Sequence, residues 1–128
     1  MPPKILIVDD EPNIRTLLLQ AFEDLATKGI DILETGEGIE AWRVIQAERP
    51  ELIILDIMLP GMSGYEVCQR IKGDPELSKT YVIILTAKGQ AADRKHSFEV
   101  GADEFILKPF DTMYLIRRVS EVLGIHTA

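Results

Sequence analysis

The stretch Ile5-Leu6-Ile7-Val8-Asp9-Asp10 consists of four apolar residues followed by two carboxylates. The stretch Leu52-Ile53-Ile54-Leu55-Asp56 consists of four apolar residues followed by one carboxylate. Short runs of Ile, Leu and Val are typical of strands buried on both faces of a parallel sheet. Because parallel strands bring their carboxyl ends to one edge, we expect Asp9, Asp10 and Asp56 to meet in one crevice. Three carboxylates held together repel one another, and a divalent cation is the simplest partner that offsets the repulsion.

Strand and helix patterns alternate five times along the chain. The apolar runs that predict strands are residues 4–8, 31–34, 51–55, 81–85 and 104–107. The first helix is expected to begin near Pro12, with Asp10 as its cap, and to bury one face from Ile14 to Leu25. Further helical patterns cover about 38–48, 64–73, 90–100 and 111–123. This alternation predicts an α/β fold with a doubly wound parallel sheet that is covered on both faces.

Two of the helical patterns carry specific expectations about packing. In the helix over 38–48 we expect Ile39, Trp42 and Ile45 to face inward. The helix over 90–100 has few apolar residues, so Phe98 and a few alanines would be its buried contacts. A helix with so few buried apolar contacts is a candidate for motion.

Length and composition restrict the class of protein. The 128 residues suit a single domain over 1–128, and the one cysteine, Cys68, excludes an internal disulfide. No apolar run approaches the roughly 20 residues of a membrane span, and no signal peptide precedes the first strand, so we expect a cytoplasmic protein. The 21 acidic and 14 basic residues give a net charge of −7, which disfavours direct binding to nucleic acid. The start at Met1 slightly favours a stand-alone protein.

Four motifs lie at the ends of predicted strands. They are Val8-Asp9-Asp10, Leu-Asp-Ile-Met-Leu-Pro-Gly-Met-Ser-Gly at 55–64, Leu85-Thr86-Ala87 and Leu107-Lys108-Pro109-Phe110. With these motifs in this order, the chain resembles the receiver domain of bacterial two-component response regulators over roughly residues 4–123. The resemblance implies a flavodoxin-like (βα)5 fold with a five-stranded sheet of order 2-1-3-4-5, the order of the chemotaxis receiver.

The resemblance also implies a phosphoryl-transfer site. Asp56 would be the phosphoacceptor. Asp10, Asp56 and the backbone carbonyl of Met58 would hold Mg²⁺ (or Mn²⁺), and Asp9 would act on the ion through a water. Lys108 would pair with Asp56 and afterwards with the phosphoryl group. These groups supply the positioning and charge neutralisation that phosphoryl transfer requires.

The same resemblance assigns the residues that respond to phosphorylation and the residues that set the rate of dephosphorylation. Thr86 would be the hydroxyl that moves toward the phosphoryl group, and Phe105 would be the aromatic that turns inward with it. Met58 and Lys88, two residues beyond Asp56 and Thr86, would tune hydrolysis, and we expect slow self-dephosphorylation. The Lys108–Pro109 bond is expected to be cis, as in this family.

The expected function is signalling rather than enzymatic catalysis. A histidine kinase or phosphotransfer protein would donate the phosphoryl group, and the fourth helix, fifth strand and fifth helix would then bind an unidentified partner. The protein would be a monomer or a weak homodimer through that face, where Tyr114 replaces an expected acidic residue. The charged residues available there are Arg94, Lys95, Asp103, Glu104, Arg117 and Arg118. The cognate kinase, the pathway and the output partner are not specified by the sequence.

Several alternatives remain open from the residues alone. A haloacid-dehalogenase-like phosphatase would use a second carboxylate where Met58 stands, and a flavodoxin-like electron carrier would need a Ser-, Thr- and Gly-rich loop where Asp9-Asp10-Glu11 stands. A receiver that docks without phosphorylation is the third alternative, and the intact acceptor position argues against it. Phe105 could serve only in core packing, and Cys68 is expected to be a small buried hydrophobe. His96 and His126 are expected to be exposed.

Overall fold

One parallel sheet organises the chain, with the strand order β2-β1-β3-β4-β5. The structure is a computed structural model that describes residues 2–125. The strands are β1 (Lys4–Val8), β2 (Asp31–Thr35), β3 (Leu52–Leu55), β4 (Tyr81–Thr86) and β5 (Glu104–Leu107). The helices are α1 (Pro12–Ala21), α2 (Glu23–Thr27), α3 (Gly38–Glu48), α4 (Gly64–Gly73), α5 (Ala91–Glu99) and α6 (Thr112–Leu123). The predicted fold class and strand order are confirmed.

Two apolar clusters cover the two faces of the sheet. Successive residues of a strand point to opposite faces, so Leu6 of β1 packs in one cluster and Ile7 in the other. The first cluster contains residues of α3 and α4, and the second contains residues of α1, α2 and α6. Burial on both faces explains why β1 and β3 read as continuous apolar runs.

The first helical segment differs from the prediction of one helix. It is divided at Phe22, whose φ of −94° and ψ of 10° separate α1 from α2 while its fully buried ring stays in the core. The N-cap is Glu11 and no side chain caps the helix, so the expected capping by Asp10 is wrong. Pro12 occupies the first turn, as predicted, because its missing N–H needs no partner there.

The buried face of α3 also differs from the prediction. Ile39 is 55% exposed, whereas Ala41 and Ile45 are buried. Trp42 is half-buried against the first cluster, with the Arg70 guanidinium 5.8 Å from its ring centre. Gly38 lies against the Met62 backbone, where a Cβ would overlap the Met62 carbonyl, so α3 begins close to the loop that precedes α4.

α5 is held by polar rather than apolar contacts. Its buried residues are Asp93 and Ser97, which share one face because they are four positions apart. Phe98 is 42% exposed, so its expected inward packing is wrong. The Arg94 guanidinium lies 5.5 Å from the centre of the Phe98 ring, a contact at the surface.

Within residues 2–125, no helix combines the length and apolar character needed to cross a membrane. His96 is exposed, as expected, while His126 lies outside the described residues.

Candidate functional site

The carboxylates that follow β1 and β3 lie side by side. The two strands pair in parallel with Val8 opposite Leu55, and the Asp56 N–H donates to the Val8 carbonyl at 2.9 Å. This register places Asp9 and Asp56 at the same edge of the sheet, and both side chains are almost fully buried. Asp10, the next residue, is exposed. The sheet edge therefore brings together the three carboxylates singled out from the sequence.

Lys108 brings a positive charge to these carboxylates. It follows β5, and the Lys108–Pro109 bond is cis, as the resemblance implied. The Lys108 ammonium lies 2.8 Å from Asp9 Oδ2, 2.9 Å from Asp56 Oδ2 and 3.1 Å from Glu11 Oε1. One ammonium thus offsets the repulsion among three carboxylates.

Glu11 is a member of the site that the sequence reasoning missed. Carboxylate oxygens of four residues, Asp9, Asp10, Glu11 and Asp56, lie within 4.8 Å of one another. Hard oxygen donors of this kind suit Mg²⁺, which prefers carboxylates and retains several waters. The donor set therefore fits a divalent cation of that class. The adjacency of Glu11 to Asp9-Asp10 was the available signal, but only the tertiary position of Lys108 gives its side chain a partner.

Burial and pairing act in opposite directions on this site. Burial raises the pKa of Asp9, and its hydrogen bonds with Lys108 and the Glu11 N–H only partly offset that effect. Burial lowers the pKa of Lys108, but its hydrogen bonds to Asp9, Asp56 and Glu11 raise it well above the ordinary value. Lys108 therefore stays charged at neutral pH.

Close approach of the backbone positions Asp56. A Cβ at Gly64 would overlap the Asp56 carbonyl, and the Gly64 N–H donates to the Ile57 carbonyl at 2.9 Å. Ser63 caps α4 by accepting from the Glu66 N–H, so the helix begins directly after the loop that carries Asp56. Glycine at position 64 is thus required by space.

Thr86 and Phe105 lie on neighbouring strands beside the carboxylates. Thr86 ends β4 with a fully buried side chain, and its hydroxyl accepts a hydrogen bond from the Lys88 N–H at 3.2 Å. Phe105 is opposite Ile84 in the sheet and is partly buried against the first cluster. The Arg94 guanidinium of α5 lies 5.6 Å from the Phe105 ring centre. The strand register therefore connects the site to α5 through β4 and β5.

Met58 and Lys88 lie at the margin of the site. The Met58 N–H donates to Asp56 Oδ1 at 3.1 Å, while the Met58 side chain is exposed. Lys88 does not contact Asp56 in this structure; its ammonium lies 3.6 Å from Asp93 Oδ1. Met58, Lys88 and Asp93 line one open depression of about 370 Å³.

Comparison with known proteins identifies the family. A family model described as the response regulator receiver domain matches residues 5–120. The chain belongs to the response regulator receiver domain family. The phosphate regulon transcriptional regulatory protein PhoB of Rhizobium meliloti is 39% identical over 123 residues, which are 96% of this chain and 53% of that protein. This receiver domain thus spans about half the length of the curated relatives it matches. The phosphatase and electron-carrier alternatives are set aside.

Two solved structures share the receiver fold closely. The BeF3-activated receiver domain of DrrB, a Thermotoga maritima protein, has a TM-score of 0.85 and 32% identity, with 97% of this chain and 99% of that chain covered. The receiver domain of the sensor histidine kinase PA1611 of Pseudomonas aeruginosa has a TM-score of 0.84 and 27% identity, over 97% and 99% of the two chains. That second structure has a magnesium ion coordinated in its active-site cleft.

Charges on the α5–β5–α6 face are partly neutralised within the chain. Arg118 donates to Glu104 Oε1 at 2.6 Å, and the Tyr81 hydroxyl donates to the same oxygen at 2.7 Å. Asp103 accepts from Lys72 at 2.9 Å. Three of the six charged residues considered for a homodimer are therefore already paired.

Proposed function

We propose that this receiver domain signals through phosphorylation of Asp56 by a histidine kinase or a phosphotransfer protein. The observation that carries the proposal is the Lys108 ammonium, shared by the buried carboxylates of Asp9 and Asp56 at 2.8 and 2.9 Å. A positive charge fixed beside a buried carboxylate stabilises an incoming phosphoryl group.

The reaction transfers one phosphoryl group without a change in oxidation state. An Asp56 carboxylate oxygen attacks phosphorus, the phosphorus–nitrogen bond to the donor histidine breaks, and the imidazole leaves. Asp10, Asp56 and the Met58 carbonyl would hold Mg²⁺ or Mn²⁺, with Asp9 acting through a water. A bound divalent ion would neutralise charge on the phosphoryl oxygens. Lys108 keeps a compensating charge at the same place.

The expected response involves Thr86 and Phe105. The Thr86 hydroxyl would turn from the Lys88 N–H to a phosphoryl oxygen, and Phe105 would pack further inward. Hydrogen bonds to a charged group contribute about 1.5–3 kcal/mol each, so Thr86 and Lys108 together supply about 3–6 kcal/mol gross. Shifting a two-state equilibrium from 1:99 to 99:1 takes about 5.5 kcal/mol. The α5–β5–α6 face would then bind a downstream protein.

The aspartyl phosphate is expected to be hydrolysed slowly. The Met58 side chain offers no hydrogen bond to orient an attacking water. A phosphoryl half-life of seconds at neutral pH would contradict this part of the proposal.

The direct test is incubation with Mg²⁺ and acetyl phosphate, followed by intact-mass measurement. One phosphoryl adduct is expected on the wild-type protein and none on Asp56→Asn. Ser63→Ala is a control variant that keeps the acceptor. An adduct that persists in Asp56→Asn would overturn the assignment of the acceptor.

The α5–β5–α6 face could also join two copies weakly. For that, Arg118 and Asp103 would exchange their intrachain partners for partners on the second copy. Sedimentation of the protein with and without BeF3⁻ and Mg²⁺ tests this, and a dimer that persists in Arg118→Ala would exclude that exchange.

A further inference from the structure

The Asp93 carboxylate accepts two hydrogen bonds and lies near one ammonium group. Its Oδ1 accepts from the Tyr65 hydroxyl of α4 at 3.1 Å and lies 3.6 Å from the Lys88 ammonium. Its Oδ2 accepts from the Gln90 N–H at 3.3 Å and completes the capping box of α5. The Asp93 side chain is 12% exposed, so its charge depends on these partners.

Of these three partners of Asp93, Lys88 is the one that can leave. The Lys88 side chain is 49% exposed and its contact with Asp93 is long, which is typical of a weak ion pair. Tyr65 is fixed further by an edge-on contact with the His96 ring, 4.4 Å between centres, and Gln90 donates from its backbone. Among residues 2–125, Lys88 is the cation within ion-pair distance of Asp93.

The depression lined by Met58, Lys88 and Asp93 extends from the acceptor loop to the first turn of α5. At one end the Met58 N–H contacts the Asp56 carboxylate, and at the other the Asp93 carboxylate caps the helix. The Lys88 backbone is held to Thr86, at the margin of the acceptor site. The Lys88 side chain therefore lines a depression that has the Asp93 carboxylate at one end and Met58, two residues after Asp56, at the other.

We propose that Asp93 is a positioning residue that holds Lys88 away from the acceptor site until a phosphoryl group at Asp56 competes for its ammonium. The inference rests on the proposed function, since it requires an anion at Asp56. When Lys88 leaves, Asp93 retains only two neutral donors, Tyr65 and Gln90. The first turn of α5 then loses its cationic partner, and phosphorylation is transmitted to a helix whose buried residues, Asp93 and Ser97, are both polar.

The test is a double-mutant cycle on binding of BeF3⁻ with Mg²⁺, a stable mimic of the phosphoryl group. Binding is followed by NMR titration of wild type, Asp93→Asn, Lys88→Met and the double variant. Asp93→Asn is expected to tighten BeF3⁻ binding about two- to five-fold, the range of an exposed ion pair. Lys88→Met should weaken binding, and Asp93→Asn should then have no further effect in the Lys88→Met background.

The possible results distinguish a failure of this inference from a failure of the proposed function on which it rests. An equal effect of Asp93→Asn in both backgrounds, or no effect in either, would overturn the role of Asp93 while leaving phosphorylation of Asp56 intact. Wild-type protein that does not bind BeF3⁻ would overturn both. In that case Asp56→Asn would behave like wild type.

Hydrogen exchange provides a second measurement that does not need Asp93→Asn to fold. BeF3⁻ is expected to speed exchange of the amides of Lys95, His96 and Ser97 in wild type about two- to five-fold. In Lys88→Met these amides should exchange faster before BeF3⁻ is added and change no further. An equal response in both proteins would overturn the inference.

Discussion

α5 and α6 precede and follow β5 on opposite faces of the sheet, and they are held in different ways. α6 buries Leu115 and Val119 completely in the second cluster, and its Asp111 cap lies three residues after Lys108. α5 buries Asp93 and Ser97 instead. Apolar contacts have no alternative partner in water, whereas hydrogen bonds and ion pairs can be exchanged. The helix next to Lys108 is thus fixed, and the helix next to Lys88 can respond.

Truncation of one large apolar side chain in each helix should give the largest difference in stability between the two helices. Leu115→Ala in α6 should lower the free energy of unfolding by about 2–5 kcal/mol, because it leaves a cavity in a close-packed core. Phe98→Ala in α5 should cost well under half as much, since the ring is 42% exposed. Urea denaturation of both variants measures the difference. Equal losses would mean that α5 is packed as tightly as α6.

The thiol of Cys68 should make the free energy of unfolding depend on pH, and this dependence reports how tightly the chain packs against the end of α5. The Cys68 Sγ lies 3.6 Å from the carbonyl of Val100, at the end of α5, and burial raises its pKa from 9.0 to about 11. The unfolded chain releases this proton first, so stability should fall as pH rises through 9 and level off above 11. Two pKa units correspond to about 2.7 kcal/mol.

The measurement compares urea unfolding of wild type and Cys68→Ala between pH 8 and pH 11. Groups that titrate equally in both proteins cancel in the difference between their free energies of unfolding. This difference should shrink as pH rises. Parallel curves would mean that the thiol is accessible to water and that the end of α5 is open.

Two buried serines, one in α5 and one in α6, should give the smallest difference in stability between the two helices. The Ser97 hydroxyl of α5 donates to the Asp93 carbonyl at 2.8 Å, whereas the buried Ser120 hydroxyl of α6 has no hydrogen-bond partner among the described residues. Ser97→Ala should therefore cost about 1 kcal/mol, and Ser120→Ala should be neutral or slightly stabilising. Thermal unfolding of both variants checks this. A Ser120→Ala loss equal to that of Ser97→Ala would remove the distinction between the helices.

The strand ends were accessible from sequence, because parallel strands leave local apolar runs and the motifs follow them, whereas the strand order came from the family resemblance. The contacts of α5 were not accessible from sequence. Hydrophobic periodicity favoured Phe98 as the inward residue, but burial of Asp93 depends on Tyr65, which is 28 positions away. The role of Glu11 likewise depends on Lys108, 97 positions away. Local patterns carry no information about such distant polar partners.

The acceptor site draws its groups from β1, β3, β4 and β5, with Asp9 and Lys108 at the two extremes of the chain segment involved. β1 is also an interior strand of the sheet, between β2 and β3. During folding, the site can form only after nearly the whole chain has closed its longest loops, which is the slow part of forming a parallel sheet. A chain whose last strand has not yet docked contains Asp56 but lacks its ammonium partner. The proposed competence to receive a phosphoryl group would therefore be acquired at the end of folding.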